Sequence, residues 1–222
     1  MPAPSDPRQN PQSRFDALAQ AAAQPSAAAG LREDMTRAAV ELIDALSAQG
    51  DAAAARAVYG RLAAIAAAHA GEPRLRLWQG WAGFRLISGH ALPPVREEAR
   101  AVLDDVDRLA AAHPDQPDLR ELLARSLWHH AHNCASERDF AEARSVHARL
   151  VALVAAHPSE PRLVADLAES YATLFVFAAE AGDFAAGRAL AEEIRALAAA
   201  HPNEARAREA LATVERVLPR FP

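Results

Sequence analysis

Residues 157–161 read His-Pro-Ser-Glu-Pro, and a closely similar stretch, His-Pro-Asp-Gln-Pro, stands 44 residues earlier at 113–117. The same step continues along the chain. It is marked by three further sets: the histidines His69, His113, His157 and His201, the arginines Arg56, Arg100, Arg144 and Arg188, and the leucines Leu31, Leu75, Leu119 and Leu163. Self-similarity at a fixed period of this length is the signature of a stacked repeat protein. Because one such repeat cannot cover its own apolar face, it buries that face against its neighbours.

Each 44-residue repeat predicts two antiparallel helices separated by a turn. In the last complete repeat the apolar residues of the first helix follow a 3.6-residue period, as Leu163, Leu167, Tyr171, Leu174 and Ala178. Gly182-Asp183 interrupts that pattern and predicts a turn, and Gly50-Asp51 and Arg138-Asp139 hold the same place in two other repeats. The second helix is then predicted to place one apolar face inward, formed by Phe184, Gly187, Ala191, Ile194 and Leu197.

The His-Pro stretch predicts the end of one helix and the start of the next. Proline cannot continue a helix, and a histidine in the last turn is favoured by the helix dipole. The residue two positions after each marker histidine has a type that is preferred at helix N-caps. We therefore predict that Gly71, Asp115, Ser159 and Asn203 are N-caps. The second proline of each stretch is predicted in the first helical turn, where its missing N–H has no cost, at Pro73, Pro117 and Pro161.

These residues resemble the tetratricopeptide repeat family. Leu167-Ala168, Tyr171, Gly182-Asp183-Phe184 with Gly187 three further on, and Pro202 follow that family's packing pattern over about residues 25–218. The resemblance implies an all-α, right-handed solenoid of antiparallel helix pairs, with a concave groove lined by the first helices. The period departs from the family's 34 residues, and HEAT-type repeats, whose length includes 44, are the alternative.

The domain boundaries follow from the period. We predict a flexible tail at residues 1–13 and one repeat domain over 14–222. That domain is expected to contain four helix pairs at about 26–69, 70–113, 114–157 and 158–201, with capping helices at 14–23 and 203–218.

Composition narrows the functional class. About a quarter of the 222 residues are alanine, which is the best helix former, and every basic residue is an arginine, as in GC-rich bacterial genomes. A net charge of -5 gives no reason to expect nucleic-acid binding. Since Cys134 is the only cysteine and neither a signal peptide nor a membrane-spanning run is evident, we expect a cytoplasmic protein that does not bind membranes.

Histidine is the first candidate for chemistry. Aligning the repeats predicts that His130, Cys134 and His147 point into the core of one helix pair and could converge on a transition metal. The alternative, which we favour because a fourth ligand is missing, is a buried hydrogen-bonded cluster with Cys134 acting as a small apolar residue. We therefore predict neither a metal nor another cofactor.

The recurring arginines, Arg56, Arg100, Arg144 and Arg188, are the second candidate. A row of guanidinium groups could hold an acidic peptide. We favour local ion pairs, because every repeat carries one of these arginines, including the repeats at the edges.

The third candidate is aromatic. Trp81 and Trp128 lie on first helices and are predicted to point away from the cores of their own helix pairs, whereas Trp78 lies on the flank. Tryptophan and arginine dominate binding hot spots. We predict a partner-binding face formed by Arg37, Trp81, Arg85, Arg125, Trp128, His129 and His132. The alternative is packing between neighbouring helix pairs.

The sequence therefore predicts a non-enzymatic scaffold or adaptor that binds a protein or peptide in its groove. It contains no glycine-rich phosphate loop and no motif of a metalloprotease or serine hydrolase. The alternatives are a regulator that binds a metal or small ligand at the histidine-cysteine cluster, an accessory subunit of an enzyme or multiprotein complex, or a homodimer.

Overall fold

A computed structural model of the chain describes residues 10–24, 26–89 and 96–221. Across these ranges the chain is all α-helical and contains no β-strand, as the sequence predicts. The helices are α1 Pro11–Ala22, α2 Ala29–Ala48, α3 Ala52–Ala68, α4 Pro73–Gly89, α5 Arg96–Ala112, α6 Pro117–Ser136, α7 Phe140–Ala156, α8 Pro161–Glu180, α9 Phe184–Ala200 and α10 Ala205–Val217, and a 3-10 turn follows at Leu218–Arg220. Within the described ranges, every helix is too short or too polar to cross a lipid bilayer.

The helix boundaries repeat with the sequence period. Helices α2, α4, α6, α8 and α10, here called the A helices, begin 44 residues apart, and so do α3, α5, α7 and α9, the B helices. The B helices also end 44 residues apart, each time just before a marker histidine. The local signals that start and stop helices therefore recur in one register along the chain.

The turn from an A helix to the following B helix has the same form in three places. Gly50, Arg138 and Gly182 adopt positive φ angles of 75°, 64° and 74°. The amide of the next residue reaches back to the carbonyl five residues earlier, for example Asp183 to Ala178 at 2.9 Å, which satisfies the end of the A helix. That residue is an aspartate, and its side chain caps the B helix by accepting from a backbone amide three residues on, at Asp51, Asp139 and Asp183.

The His-Pro stretches end the B helices, but they cap the A helices one residue later than predicted. Each marker histidine accepts a backbone hydrogen bond from the residue three further on, for example Glu160 to His157 at 3.1 Å. The N-caps of α8 and α10 are Glu160 and Glu204, so Ser159 and Asn203 lie inside the preceding turn. Because the two residues after the histidine form part of this turn, the N-cap of the next helix falls one residue later than predicted. The prediction for the second proline is confirmed, because Pro73, Pro117 and Pro161 are the first residues of their helices.

Backbone contacts divide the chain into two compact units. Unit 1 extends to Leu123 and unit 2 begins at Ala124, so the border falls inside α6. In unit 1, α2 packs against α1, α3 and α4, and α4 packs against α3 and α5. In unit 2, α8 packs against α7, α9 and α10, and α10 packs against α9. Contacts between neighbouring helices within each unit are compatible with a helical repeat fold.

The two ends of the helical region differ slightly from the prediction. Helix α1 begins at Pro11 because Asn10 caps it, so residues 11–13 belong to the helix and not to a tail, while residues 1–9 lie outside the described residues. The last helix covers Ala205–Val217 and not 203–218, because His201 to Glu204 form a turn. After it, Phe221 packs against Phe184 and Phe175, with ring centroids 4.9 Å and 5.7 Å away.

Candidate functional site

In unit 1 the predicted binding residues lie on one face of α2 and α4. Trp81 is half-buried, and its ring lies 5.4 Å from that of Phe84, which is buried. Arg85, one helical turn after Trp81, donates from Nε to Asp44 Oδ1 at 2.8 Å. Arg37 is exposed, and its guanidinium lies 3.9 Å from Asp34. The arginine closest to Trp81 along the helix is therefore already paired with a carboxylate of α2, a pairing between helices that the repeat spacing does not predict.

An open pocket of about 420 Å³ lies beside Trp78 at the N-terminal ends of α2 and α4. Pro73, Leu75 and Trp78 provide its apolar surface. Its charged rim is formed by Arg74, which pairs with Glu33 at 3.0 Å, and by Glu72, which pairs with the buried Arg32. Since each of these carboxylates is already paired with an arginine, the rim presents no excess charge of either sign.

In unit 2 the predicted residues follow α6. Arg125, Trp128 and His129 are half-buried, and His132 is exposed. The rings of Trp128 and His129 lie 4.5 Å apart, and His132 lies edge-on to Phe177 of α8 at 5.6 Å. The indole Nε1 of Trp128 is buried and has no hydrogen-bond acceptor among the described residues. Phe177 was not predicted, and it extends this aromatic surface from α6 to α8.

Unit 2 also buries several hydrogen-bonding side chains on α6, α7 and α8, and six of them are here called the polar cluster. They share an exposed fraction of 9% or less, and they are Ser126, His130, Cys134, His147, Asp166 and Ser170. Their spacing of four residues on α6, and again on α8, places them on one face of each helix. The repeat spacing predicts the burial of the two histidines and the cysteine, but not that of the two serines and the aspartate.

Within the cluster the side chains form separate contacts. Cys134 Sγ lies 3.8 Å from His130 Nε2 on the same helix. His147 Nδ1 lies 2.8 Å from Ser170 Oγ, and the His147 ring meets the Tyr171 ring edge-on at 4.4 Å. Burial lowers the pKa of His147 to about 4, and it raises the pKa of Tyr171, which is hydrogen-bonded to Glu193, to about 12. His147 is therefore neutral in the folded protein at neutral pH.

The sequence left open, as the interpretation that we did not favour, a metal held by His130, Cys134 and His147. His147 Nδ1 lies within hydrogen-bond distance of Ser170 Oγ, and His130 Nε2 lies 3.8 Å from Cys134 Sγ one turn along α6. Among the described residues, no group of three or more histidine, cysteine or acidic side chains has an arrangement that could hold a metal ion.

Two of the recurring arginines show the local pairing that we favoured. Arg56 NH1 lies 3.2 Å from Asp105 Oδ2, and its guanidinium stands 5.3 Å from the centre of the Tyr59 ring. Arg144 lies 3.9 Å from Asp183, and both side chains are more than half exposed. A pair as exposed as the second contributes little to stability.

Comparisons of the chain with protein-family models, with curated proteins and with solved structures found no match. The assignment of function therefore rests on the residues of this chain.

Proposed function

We propose that the chain is a non-enzymatic scaffold that binds a protein or peptide across its A helices, in a right-handed, tetratricopeptide-like solenoid of antiparallel helix pairs. The 44-residue spacing of the helix starts supports this architecture. So does the packing of one A helix on the next within each unit, α2 on α4 and α8 on α10, because that packing builds a continuous A-helix surface. No cofactor is part of the proposal.

The observation that carries the proposal is the placement of a tryptophan on an A helix of each unit. Trp81 and Trp128 are both half-buried on A helices, so part of each residue is accessible to solvent. Arg37 and Arg125 hold the same register as Trp81, and His129 holds that of Arg85. Large aromatic side chains beside arginine are the residues that dominate binding energies at protein interfaces.

Position-specific photo-crosslinking in cells of the source organism tests this proposal. A photoreactive phenylalanine analogue is placed at 81 and at 128 on A helices, and at the exposed positions 57 and 148 on B helices as matched controls. We expect one partner to be crosslinked from 81 or 128 and neither control. Crosslinks to the same partner mainly from 57 or 148 would show that the opposite side binds, and a crosslink between two copies of this chain would show a homodimer.

Once that partner is purified, titrations measure how much each tryptophan contributes. Trp81→Ala and Trp128→Ala are expected to weaken binding by at least about 2 kcal/mol in combination. Trp78→Ala, which removes a tryptophan of the same size from the flank, is expected to change binding by less than about 0.5 kcal/mol. Circular dichroism must show that all three variants remain folded. Loss of folding in the Trp81 and Trp128 variants would mean that both rings are packing residues.

Asp44 allows the role of Arg85 to be tested separately. Because Asp44 holds the Arg85 guanidinium, a partner carboxylate that binds Arg85 must displace it. Asp44→Asn is therefore expected to strengthen binding of an acidic partner, and Arg85→Glu to weaken it. If neither substitution changes the affinity or its salt dependence, Arg85 belongs to an internal ion pair and not to the binding face.

The proposal places the protein in the cytoplasm and assigns it no nucleic-acid or membrane partner. The presence of a single cysteine supports the cytoplasmic location. The net charge of -5 supports the absence of a nucleic-acid partner.

A further inference from the structure

Unit 2 encloses His147 in surroundings that suit a neutral imidazole and not a charged one. The residue is 7% exposed, and its Nδ1 lies within hydrogen-bond distance of Ser170 Oγ. Its Nε2 is buried without a hydrogen-bond partner in the described part of the chain. A protonated ring carries an N–H at both positions, so it would leave a buried donor unsatisfied in addition to burying a charge.

The helices around His147 contribute few charges that could compensate. Helix α8 presents Ser170, the Tyr171 ring and, one turn before Ser170, Asp166, and the Tyr171 hydroxyl is bound to Glu193 of α9. Helix α6 buries His130 and Cys134, and Arg144 on α7 itself is exposed. Burial is the cause of the lowered pKa of His147, which stands at about 4 against an ordinary value of 6.5.

We propose that His147 is an acid-sensitive switch in unit 2, whose protonation favours a locally opened state in which α7 and α8 no longer enclose the ring. The sign follows from linkage. The open state takes up a proton near the ordinary pKa of histidine, whereas the closed state resists it until about pH 4. The open state is therefore favoured progressively as the pH falls from about 6.5 to about 4, and it gains no further advantage below that range.

The other positions of the same register cannot act in this way. The residues 44 and 88 before His147 are Leu103 and Tyr59, and the residue 44 after it is Ala191. Leucine and alanine do not titrate, and burial raises the pKa of Tyr59 to about 12. The switch is confined to the one position where this register carries a histidine.

Cys134 provides a probe of opening that is already in the chain. It is the only cysteine, it is 1% exposed, and it belongs to the same polar cluster. Its rate of labelling by 4,4'-dithiodipyridine, divided at each pH by the rate for the urea-unfolded chain, reports the equilibrium between closed and open states. With the two pKa values above, this ratio is expected to rise about 30-fold between pH 7.5 and pH 5.

The decisive variant is His147→Leu combined with Ser170→Ala, which removes the titrating ring and the hydroxyl that it would leave unpaired. We expect its labelling ratio to change less than about threefold over the same range. His130→Leu, which places at 130 the residue found 44 positions on either side, removes the other buried histidine and is expected to keep the full rise. If circular dichroism shows the double variant unfolded at pH 7.5, His147→Gln replaces it, with the same flat profile expected.

Three results would overturn the proposal: a flat profile for the unmodified chain, a rise that persists in the variants without His147, or a rise abolished by His130→Leu alone. The last would assign the acid response to the histidine beside the thiol.

Discussion

The cores of the two units use the same register differently. On α6 the register of His130 carries a buried imidazole, whereas on α2 and α4 it carries Leu42 and Leu86, which are equally buried. The register of Ser126 carries Ala38 and Ala82 in unit 1, again without exposure. The 44-residue pattern therefore sets where a side chain points, while its chemistry varies. In unit 2 the Ser126 register is hydrogen-bonding again at Ser170 of α8, whereas the His130 register is apolar at Leu174.

This difference changes what stabilises each unit. A buried leucine contributes through removal of apolar surface from water, which tolerates small shifts of the helices. A buried serine or histidine contributes only while its hydrogen bond is intact, and about 1–3 kcal/mol is lost when one partner is removed. At these registers, unit 2 thus depends more on the relative position of its helices, and unit 1 depends more on the volume that its side chains fill.

The largest effect is expected from substitutions that test whether buried leucines at the same register are equivalent in the two units. Leu123 in unit 1 and Leu167 in unit 2 stand 44 residues apart, and each is 4% exposed. Leu123→Ala and Leu167→Ala are each expected to lower the free energy of unfolding by about 2–5 kcal/mol, measured by urea denaturation. Losses below about 1 kcal/mol for both would show that these faces are not the core.

A smaller effect is expected when either of two tightly packed glycines, one in each unit, is replaced by alanine. A methyl group at Gly83 in unit 1 would lie 2.6 Å from Val106 Cγ2, and Val106 is fully buried. A methyl group at Gly187 in unit 2 would lie 2.6 Å from the ring of Phe221, which is half-buried and able to turn outward. Gly83→Ala is expected to destabilise by about 1–3 kcal/mol, and Gly187→Ala by less than about 1 kcal/mol. Thermal unfolding of both variants checks which substitution destabilises more. A larger loss of stability for Gly187→Ala than for Gly83→Ala would contradict the prediction.

The N-caps should show no difference between the units. Asp51 and Asp183 make the same bond to a backbone amide three residues later, at 3.0 Å and 3.1 Å. Replacement of either by alanine is expected to cost about 1 kcal/mol in urea denaturation. Asp→Asn at the same sites serves as the control, because asparagine retains the capping oxygen and should cost much less. A clear difference between the two sites would show that the turns are not equivalent.

The smallest effect concerns Arg138, which holds a left-handed backbone that glycine holds at 50 and 182. Arg138→Gly is expected to stabilise unit 2 by up to about 1 kcal/mol, because the Cβ atom is strained in this conformation. Gly182→Ala is the matched reverse change, and a loss of similar size is expected in the same denaturation experiment. No gain at 138 would mean that the arginine side chain makes compensating contacts.

Much of the fold follows from local sequence signals. The helix pairs, the turns at Gly50, Arg138 and Gly182 and the inward faces of Leu163, Leu167 and Leu174 are determined by residues close in sequence, so they could be predicted. The N-caps at Glu160 and Glu204 could not, because the turn after each marker histidine uses one residue more than the cap preferences of Ser159 and Asn203 suggest.

The candidate sites were harder to predict from the sequence than the fold, because they depend on pairs of side chains that are far apart in sequence. The pairing of His147 with Ser170 joins different helices, as does that of Arg85 with Asp44. The regular spacing of Ser126, His130 and Cys134 on α6 was a signal of a polar face, but periodicity alone does not indicate which partner each group meets.

The left-handed turns at Gly50, Arg138 and Gly182 also bear on how fast the chain folds. Each turn is closed by backbone hydrogen bonds between residues at most five apart, and the aspartate cap acts over three. Closing so short a loop costs little conformational entropy, and a chain rich in such local contacts has a low contact order. We therefore expect α2 with α3, and α8 with α9, to form early and independently, so that refolding after a denaturant jump is complete within milliseconds.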